Sequence, residues 1–520
     1  MRPAIALGLL LVCFGALALR LPQLGERPMH TDESVHAIKF LGLWERGEYR
    51  YDPHEYHGPS LYYATLPWVW LRGVADRAEL TESDLRGIAV VFGVGLVGLL
   101  ALVVPFQGWR GVLLAGVLTA VSPSMVFYSR YFIHEMMLVF FTFGFLACSW
   151  RYACERHRYW ILGAAAFLAL MQATKETYVF NVVAAAAGFA GVYGWGRFRC
   201  EDHCRISLRR PDFLWGLVVF AVLSTVLFTS FFQNWRGPVD AWLTYGPWIS
   251  RAEGQSPHVH SWSYYWEILL YTKRGGGPVW SEVAVALLAL AGIVGSLRVR
   301  GMDRRTALWG RFLFFYTLTL SVIYTLIPYK TPWCILGFWH GWILLAGLGV
   351  VWLWDAWRYA AWRLAVAVGV LVACVNLGQQ GYRSATRYAD SQRNPYVYAH
   401  TVASLLELVE LVDAVAAVHP GADAPVIKVM AGGGDYWPLP WYLRRYRVGW
   451  YGGVPLDVDE AEAEIVIASP AFEKEVGSVM GDGMLHLGLF GLRPSVFLQL
   501  HVSRELWDRY LERDRSMPVP

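Results

Sequence analysis

Charge is what this sequence has least of: Asp, Glu, Lys and Arg make up 17% of its 520 residues, against 56% hydrophobic ones and a mean hydropathy of +0.34. A water-soluble chain of this length is thereby excluded, because a single core stops growing at about 250 to 300 residues and the remaining apolar surface must face lipid. Net charge is only +4 with no basic face, so no nucleic-acid partner is expected. Cysteine is sparse too. None of the seven follows Cys374, which argues against a disulfide framework in the last part of the chain. Cys200 and Cys204, with His203 between them, fit either a metal site lacking a second cluster or reduced loop thiols. What the chain holds in quantity is 26 Trp and 28 Tyr, rings that collect at membrane interfaces.

Apolar stretches at about 3–19, 88–107, 111–127, 136–150, 159–171, 178–195, 213–232, 283–297, 312–328, 333–354 and 364–380 predict a polytopic α-helical membrane protein with about 11 transmembrane helices. Several, Tyr159 to Met171 above all, are shorter than the ~20 residues of a bilayer crossing. The connections 108–110, 151–158, 197–212, 298–311 and 355–363 carry sixteen Arg and no Lys, while the longer alternate connections together carry seven cations. The positive-inside rule assigns the Arg-rich set and the N-terminus to the cytoplasm, and loop 20–87 with everything after 380 to the outside. Met1-Arg2, a short apolar run and Ala16-Leu17-Ala18 fit a cleaved signal peptide or a first anchoring helix, and both put the next segment outside.

After 380 the pattern changes. Pro395 to Val418 reads as an amphipathic helix, Pro425 to Met430 as a strand, Pro438 to Arg445 as a short helix, Ala463 to Ala468 as a buried strand and Ala471 to Val479 as a helix. Alternating strands and helices predict a small α/β domain with a parallel sheet. The expected organisation is a transmembrane domain over 1–380, including outer loop 20–87, and an extracytoplasmic α/β domain over 381–520. The Gly432-Gly433-Gly434-Asp435 turn fits a tight loop or a phosphate cradle.

In so apolar a chain the informative positions are ionisable residues at the outer ends of spans, since charge at membrane depth is costly. Four groups stand there, and they are expected to converge on one site. The first is His30-Thr31-Asp32-Glu33-Ser34-Val35-His36. Thr31 or Asp32 suits the cap of a helix running to about Glu45, and Asp32 shares a face with His36 if that helix begins early. Further on, His54 and His57 fit sugar-binding donors or ligands as well as plain surface histidines. The second group, Tyr128 to Glu135, offers Arg130 and Glu135 either as an ion pair with snorkelling or as a phosphate contact beside a metal or hydroxyl ligand. The third is Thr174-Lys175-Glu176-Thr177. The fourth is Pro328 to Trp333, where two prolines stiffen a turn carrying Lys330.

Adjacent carboxylates in one outer loop and cations on three outer turns suit a lipid-linked phosphate. A sugar leaving a polyprenyl phosphate departs from a stable anion, so positive charge rather than a general acid must hold the leaving group. Arg130, Lys175 and Lys330 can do so, with or without a divalent ion. A carboxylate on the far face of the sugar takes the acceptor's proton, the geometry of inversion, and Asp32 is the candidate base.

With these residues in place the sequence resembles GT-C membrane glycosyltransferases, the superfamily of protein O-mannosyltransferases and lipid A aminoarabinose transferases. More narrowly, His30-Thr31-Asp32-Glu33, Tyr128-Ser129-Arg130-Tyr131, Thr174-Lys175-Glu176 and Tyr329-Lys330-Thr331-Pro332-Trp333, with Asp435-Tyr436-Trp437-Pro438-Leu439-Pro440-Trp441-Tyr442 near the C-terminus, are similar to the prokaryotic "flippase activity-associated" branch. The resemblance implies Asp32 as the catalytic base, Glu33 and Glu135 as catalytic-site ligands of a metal or of the acceptor, and Arg130 as a phosphate contact; Lys175 and Lys330 rest on the charge argument, His54, His57 and Glu176 are further substrate-binding candidates, and a Mg or Mn ion, where one is used, is expected at Asp32 and Glu135. It implies inverting transfer of a sugar from a polyprenyl-phosphate donor to a protein, lipid or glycan acceptor at the outer face of the cell membrane. The alternative is a translocase, or a translocase-associated protein, for lipid-linked sugars. Such a transporter should place ionisable residues near the bilayer midplane in repeated halves, and no such repeat is seen.

Overall fold

The computed structural model describes residues 3–54, 57–199, 208–248, 258–298, 301–421, 424–454, 463–480 and 483–516. The Cys200-His203-Cys204 candidate lies outside them. By contact the chain divides into two compact units, one of Met1–Leu24, Gly47–Val69 and Leu85–Tyr398, the other of Gly25–Arg46, Trp70–Asp84 and Ala399–Pro520.

The first unit is helical. Among the described residues eight helices are long and apolar enough to cross a membrane, not the eleven expected. Part of the difference lies in Glu82–Val121, where two of the expected spans follow one another without a loop between them. Gly108 breaks it with a left-handed φ of 70° that a residue with a Cβ adopts only under strain. The second arm folds back, so that Gly116 faces Val97 and Leu100 of the first at van der Waals range. The other expected spans fall on shorter helices, Arg158–Gln172 and Val283–Arg298. The core runs through Trp150, Trp309, Phe312, Trp339 and Leu345. The large hydrophobics left exposed include Leu214, Trp215, Leu364 and Leu371 of Arg210–Phe228 and Ala360–Ala385, as expected of faces turned to lipid.

The second unit carries a five-stranded sheet in the order β2-β1-β3-β5-β4. Its strands are β1 (Ile427–Met430), β2 (Val448–Tyr451), β3 (Ile465–Ala468), β4 (Met484–Arg493) and β5 (Val496–Ser503). β1 is parallel to β2 and β3, whereas β5 is antiparallel to β3 and β4. The sheet is therefore mixed, not parallel throughout. The cause is a hairpin turned by Pro494-Ser495, with Ser495 at φ 65°, which seats the alternating Leu498, Leu500 and Val502 of β5 in the core.

The amphipathic helix expected from Pro395 begins only at Ser404 and ends at Ala416. Upstream, buried Asn394 donates to the carbonyls of Ser384 and Tyr388 and accepts from the Tyr396 N–H, and this holds the chain in a turn. The helix Thr31–Arg46 belongs to the second unit and is fastened there by residues far along the chain. The Thr401 hydroxyl donates to the Met29 carbonyl at 2.7 Å, the Met29 N–H donates to Tyr442 Oη at 2.8 Å, and the Ser34 hydroxyl donates to the Pro438 carbonyl at 3.3 Å.

Candidate functional site

The helix of the first acidic motif starts at Thr31, early enough to carry both Asp32 and His36. Neither Thr31 nor Asp32 caps it. His30 stands at the N-cap and its Nδ1 accepts the Asp32 N–H at 3.1 Å. Glu33, three residues on, reaches back to accept the His30 N–H at 3.0 Å, the reciprocal half of a capping box. Glu33 is fully buried, and both its oxygens accept from Arg27 at 3.0 and 2.9 Å. Arg27 in turn meets His400 Nε2 at 2.9 Å, and the His30 and His400 rings lie 5.1 Å apart. Glu33 is thus a buried tether, and its expected catalytic role has no geometric support.

Asp32 is the contrast. Its side chain is 45% exposed, His30 Nδ1 lies 4.0 Å from its carboxylate, and among the described residues that carboxylate accepts no hydrogen bond. A carboxylate in the first turn is favoured by the helix dipole without being held by it. Nearby in the same unit, Arg493 donates to the Thr31 hydroxyl at 3.2 Å and pairs with Asp435, so the Gly432–Asp435 turn ends in an ion pair.

The remaining expected residues lie in the first unit. Gly58 is stitched to the turn at 173–177: its N–H donates to the Thr174 carbonyl at 3.1 Å, and the Ser60 N–H donates to the Ala173 carbonyl at 2.9 Å. A Cβ on Gly58 would stand 2.1 Å from the Ala173 carbonyl oxygen, so only glycine permits this approach. The stitching brings His57 Nδ1 within 2.8 Å of Glu176, which also accepts from Tyr51 Oη at 3.3 Å. Burial alone would raise the Glu176 pKa, but His57 outweighs it and holds the carboxyl below its ordinary value. His134, whose ring lies 5.4 Å from that of His57, donates to the Gly58 carbonyl at 2.9 Å. His54 sits apart on an exposed turn beside Asp52.

Lys175, on the same turn, is buried against Glu135 in an ion pair. Burial opposes the lysine charge, yet the Glu135 carboxylate prevails and raises its pKa. The pair lines a narrow cleft with Thr177, Tyr324, Trp333 and Cys334. Lys330 is fixed by a two-way backbone bridge, its N–H donating to the His258 carbonyl at 2.8 Å and the His260 N–H to the Pro328 carbonyl at 3.1 Å. Its ammonium donates to the Ile327 carbonyl, 6.0 Å from the centre of the Tyr265 ring, and burial lowers its pKa. Arg130 does not pair with Glu135. It donates to the carbonyls of Arg20, Pro22 and Gln23 at 3.0, 2.5 and 2.9 Å, which closes the end of helix Pro3–Arg20.

Among the described residues no group of three or more His, Cys, Asp or Glu side chains could hold a metal ion. Of the acids near the expected site, Glu135 is engaged by Lys175 and Glu176 by His57. One buried acid escaped the sequence analysis. Glu282, fully buried, accepts from Ser122 Oγ at 2.5 Å, the Ser124 N–H at 3.0 Å, Trp339 Nε1 at 2.8 Å and Tyr396 Oη at 3.0 Å. Its only signal was a carboxylate directly before an apolar run.

No protein-family model matches the sequence, and no curated protein matches it either. Solved structures do. ArnT from Cupriavidus metallidurans bound to undecaprenyl phosphate superposes with a TM-score of 0.65 at 16% identity, over 96% of this chain and 98% of that one. The oligosaccharyltransferase AglB from Archaeoglobus fulgidus, in complex with an inhibitory peptide and a dolichol-phosphate, gives 0.58 at 11% identity, over 98% of this chain and 77% of that one. The Archaeoglobus fulgidus oligosaccharyltransferase in complex with Zn and sulfate gives 0.55 at 11% identity, over 98% and 76%.

The chain has the GT-C fold. It is a multi-pass membrane protein whose GT-C helices are accompanied by a small C-terminal α/β region.

Proposed function

We propose that this protein is an inverting glycosyltransferase that moves a sugar from a polyprenyl-phosphate carrier to a hydroxyl acceptor at the extracytoplasmic face of the cell membrane. The observation that carries the reading is Asp32. Its helix is capped by His30 and Glu33, which leaves a half-exposed carboxylate with no architectural task, on a fold shared with structures that hold undecaprenyl phosphate and dolichol-phosphate.

In the proposed reaction the acceptor oxygen bonds to the anomeric carbon as the bond from that carbon to the phosphate oxygen breaks. Asp32 takes the acceptor's proton, and the phosphate leaves as an anion that needs none. Lys175 and Lys330 stabilise that anion electrostatically. Arg130 is reassigned from phosphate contact to positioning residue, because its donors hold the end of the first helix. Glu135 keeps Lys175 charged and in place. His57 and Glu176 offer a fixed polar edge to sugar hydroxyls.

The test is transfer of labelled sugar from a synthetic polyprenyl-phosphate sugar to membrane-derived acceptors by the purified protein. Transfer supports the reading. Label that crosses sealed vesicles without ever reaching an acceptor overturns it in favour of translocation.

A further inference from the structure

A second polar recess lies in the α/β unit, about 270 Å3 in volume and separate from Asp32. That is close to the lower end of the ~300–1,000 Å3 usual for ligand pockets. One wall is the far half of helix Thr31–Arg46, with Glu45 and Arg46. These lie more than three turns from Asp32, roughly 20 Å along the axis at 1.5 Å per residue. The other wall is edge strand β2, whose two-residue period turns Val448 and Trp450 to the same side.

The lining is built rather than incidental. Trp450 is 37% exposed and its ring is braced by Tyr436 at 5.0 Å between centroids. Tyr446, also in the lining, is fixed by its hydroxyl donating to Asp413 at 2.6 Å. Arg77 forks onto Glu45 and also donates to the Arg444 carbonyl at 3.2 Å. The Arg444 guanidinium lies 3.8 Å from the centre of the Trp441 ring and donates to the carbonyls of Arg77, Trp441 and Leu80. Three arginines to one glutamate leave the recess net positive.

A flat aromatic ring receives the C–H face of a pyranose, and a rigid carboxylate and guanidinium fork meets vicinal hydroxyls. An excess of guanidinium groups selects a carboxylate on the same ligand. We infer that this recess binds an acidic saccharide, with a uronic-acid ring on Trp450 and its carboxylate toward the cluster of Arg46, Arg77 and Arg444. It is a binding site in its own right and does not depend on the transfer reaction.

The test uses the full-length protein in detergent, titrated with tetragalacturonate, neutral maltotetraose and tetraglutamate. Saturable binding of tetragalacturonate is expected, with maltotetraose and tetraglutamate at least tenfold weaker. Trp450→Ala and Arg46→Glu should each weaken tetragalacturonate at least tenfold. Trp450→Phe, which keeps an aromatic face and guards against a folding artefact, should stay within about threefold of wild type, and Asp32→Asn should leave binding unchanged. No saturable binding, equal binding of tetraglutamate, or indifference to both Trp450→Ala and Arg46→Glu overturns the inference. Loss of transfer in Asp32→Asn with binding intact would separate this site from the catalytic proposal.

Discussion

The acids of the two units are not all used alike. In the helical unit Glu135, Glu176 and Glu282 are all buried and each is held by a cation or by several donors. In the α/β unit two adjacent acids divide the work: Glu33 is held by Arg27 and the helix start, while Asp32 stands half exposed. The difference teaches that an acidic pair in a motif need not be a chemical pair. A buried carboxylate without partners is too costly to keep, so burial and tight bonding mark architecture, whereas an accessible carboxylate left unbonded has no such task.

The sharpest way to break this comparison is in the helical unit. Lys175→Met strands the buried Glu135 charge and should destabilise by about 3–5 kcal/mol, and Lys175→Met with Glu135→Met should recover more than half of that. Thermal unfolding in detergent reads both, and an unshifted midpoint for the single variant would show that the pair is not buried as described. Next in size, Glu33→Gln gives up charge-assisted bonds to Arg27 and should cost about 1.5–3 kcal/mol. Asp32→Asn should stay within about 0.5 kcal/mol of wild type. Equal midpoints for these two variants would dissolve the distinction drawn between them.

The smallest effect is a pH dependence. Because His57 holds Glu176 below its ordinary pKa, the stabilising contribution is present above the unfolded value of about 4.3 and is lost as pH falls through the lower folded value. The stability gap between wild type and Glu176→Gln, about 1 kcal/mol, should therefore close as the pH falls below about 4. A gap that widened with acid would reverse the sign of the argument.

Much of this architecture was legible in the sequence. Apolar runs located the helices because lipid-facing and core-facing positions are both apolar, and the turns between them announced themselves by isolated cations at Lys175 and Lys330. Strands β1 and β3 were visible as buried runs. The hairpin β4–β5 was missed, although Leu498, Leu500 and Val502 alternate with Gln499 and His501 in the strand period.

The site was less legible, for reasons of partnership. A histidine is not a favoured N-cap, so His30 concealed that Asp32 is released from capping. Arg130 reads as a phosphate ligand until the three carbonyls it serves are seen, since backbone acceptors leave no mark in a side-chain pattern. The pairing of His57 with Glu176 depends on Gly58 lying against a turn more than a hundred residues away, which local periodicity does not encode.

The division between Asp32 and Glu33 is tested most directly by the turnover of Asp32→Asn, measured on folded protein with a polyprenyl-phosphate sugar donor. The account predicts a loss of about 10²- to 10⁴-fold, the usual contribution of a general base, with donor-lipid binding and thermal midpoint unchanged. Turnover within twofold of wild type would contradict it.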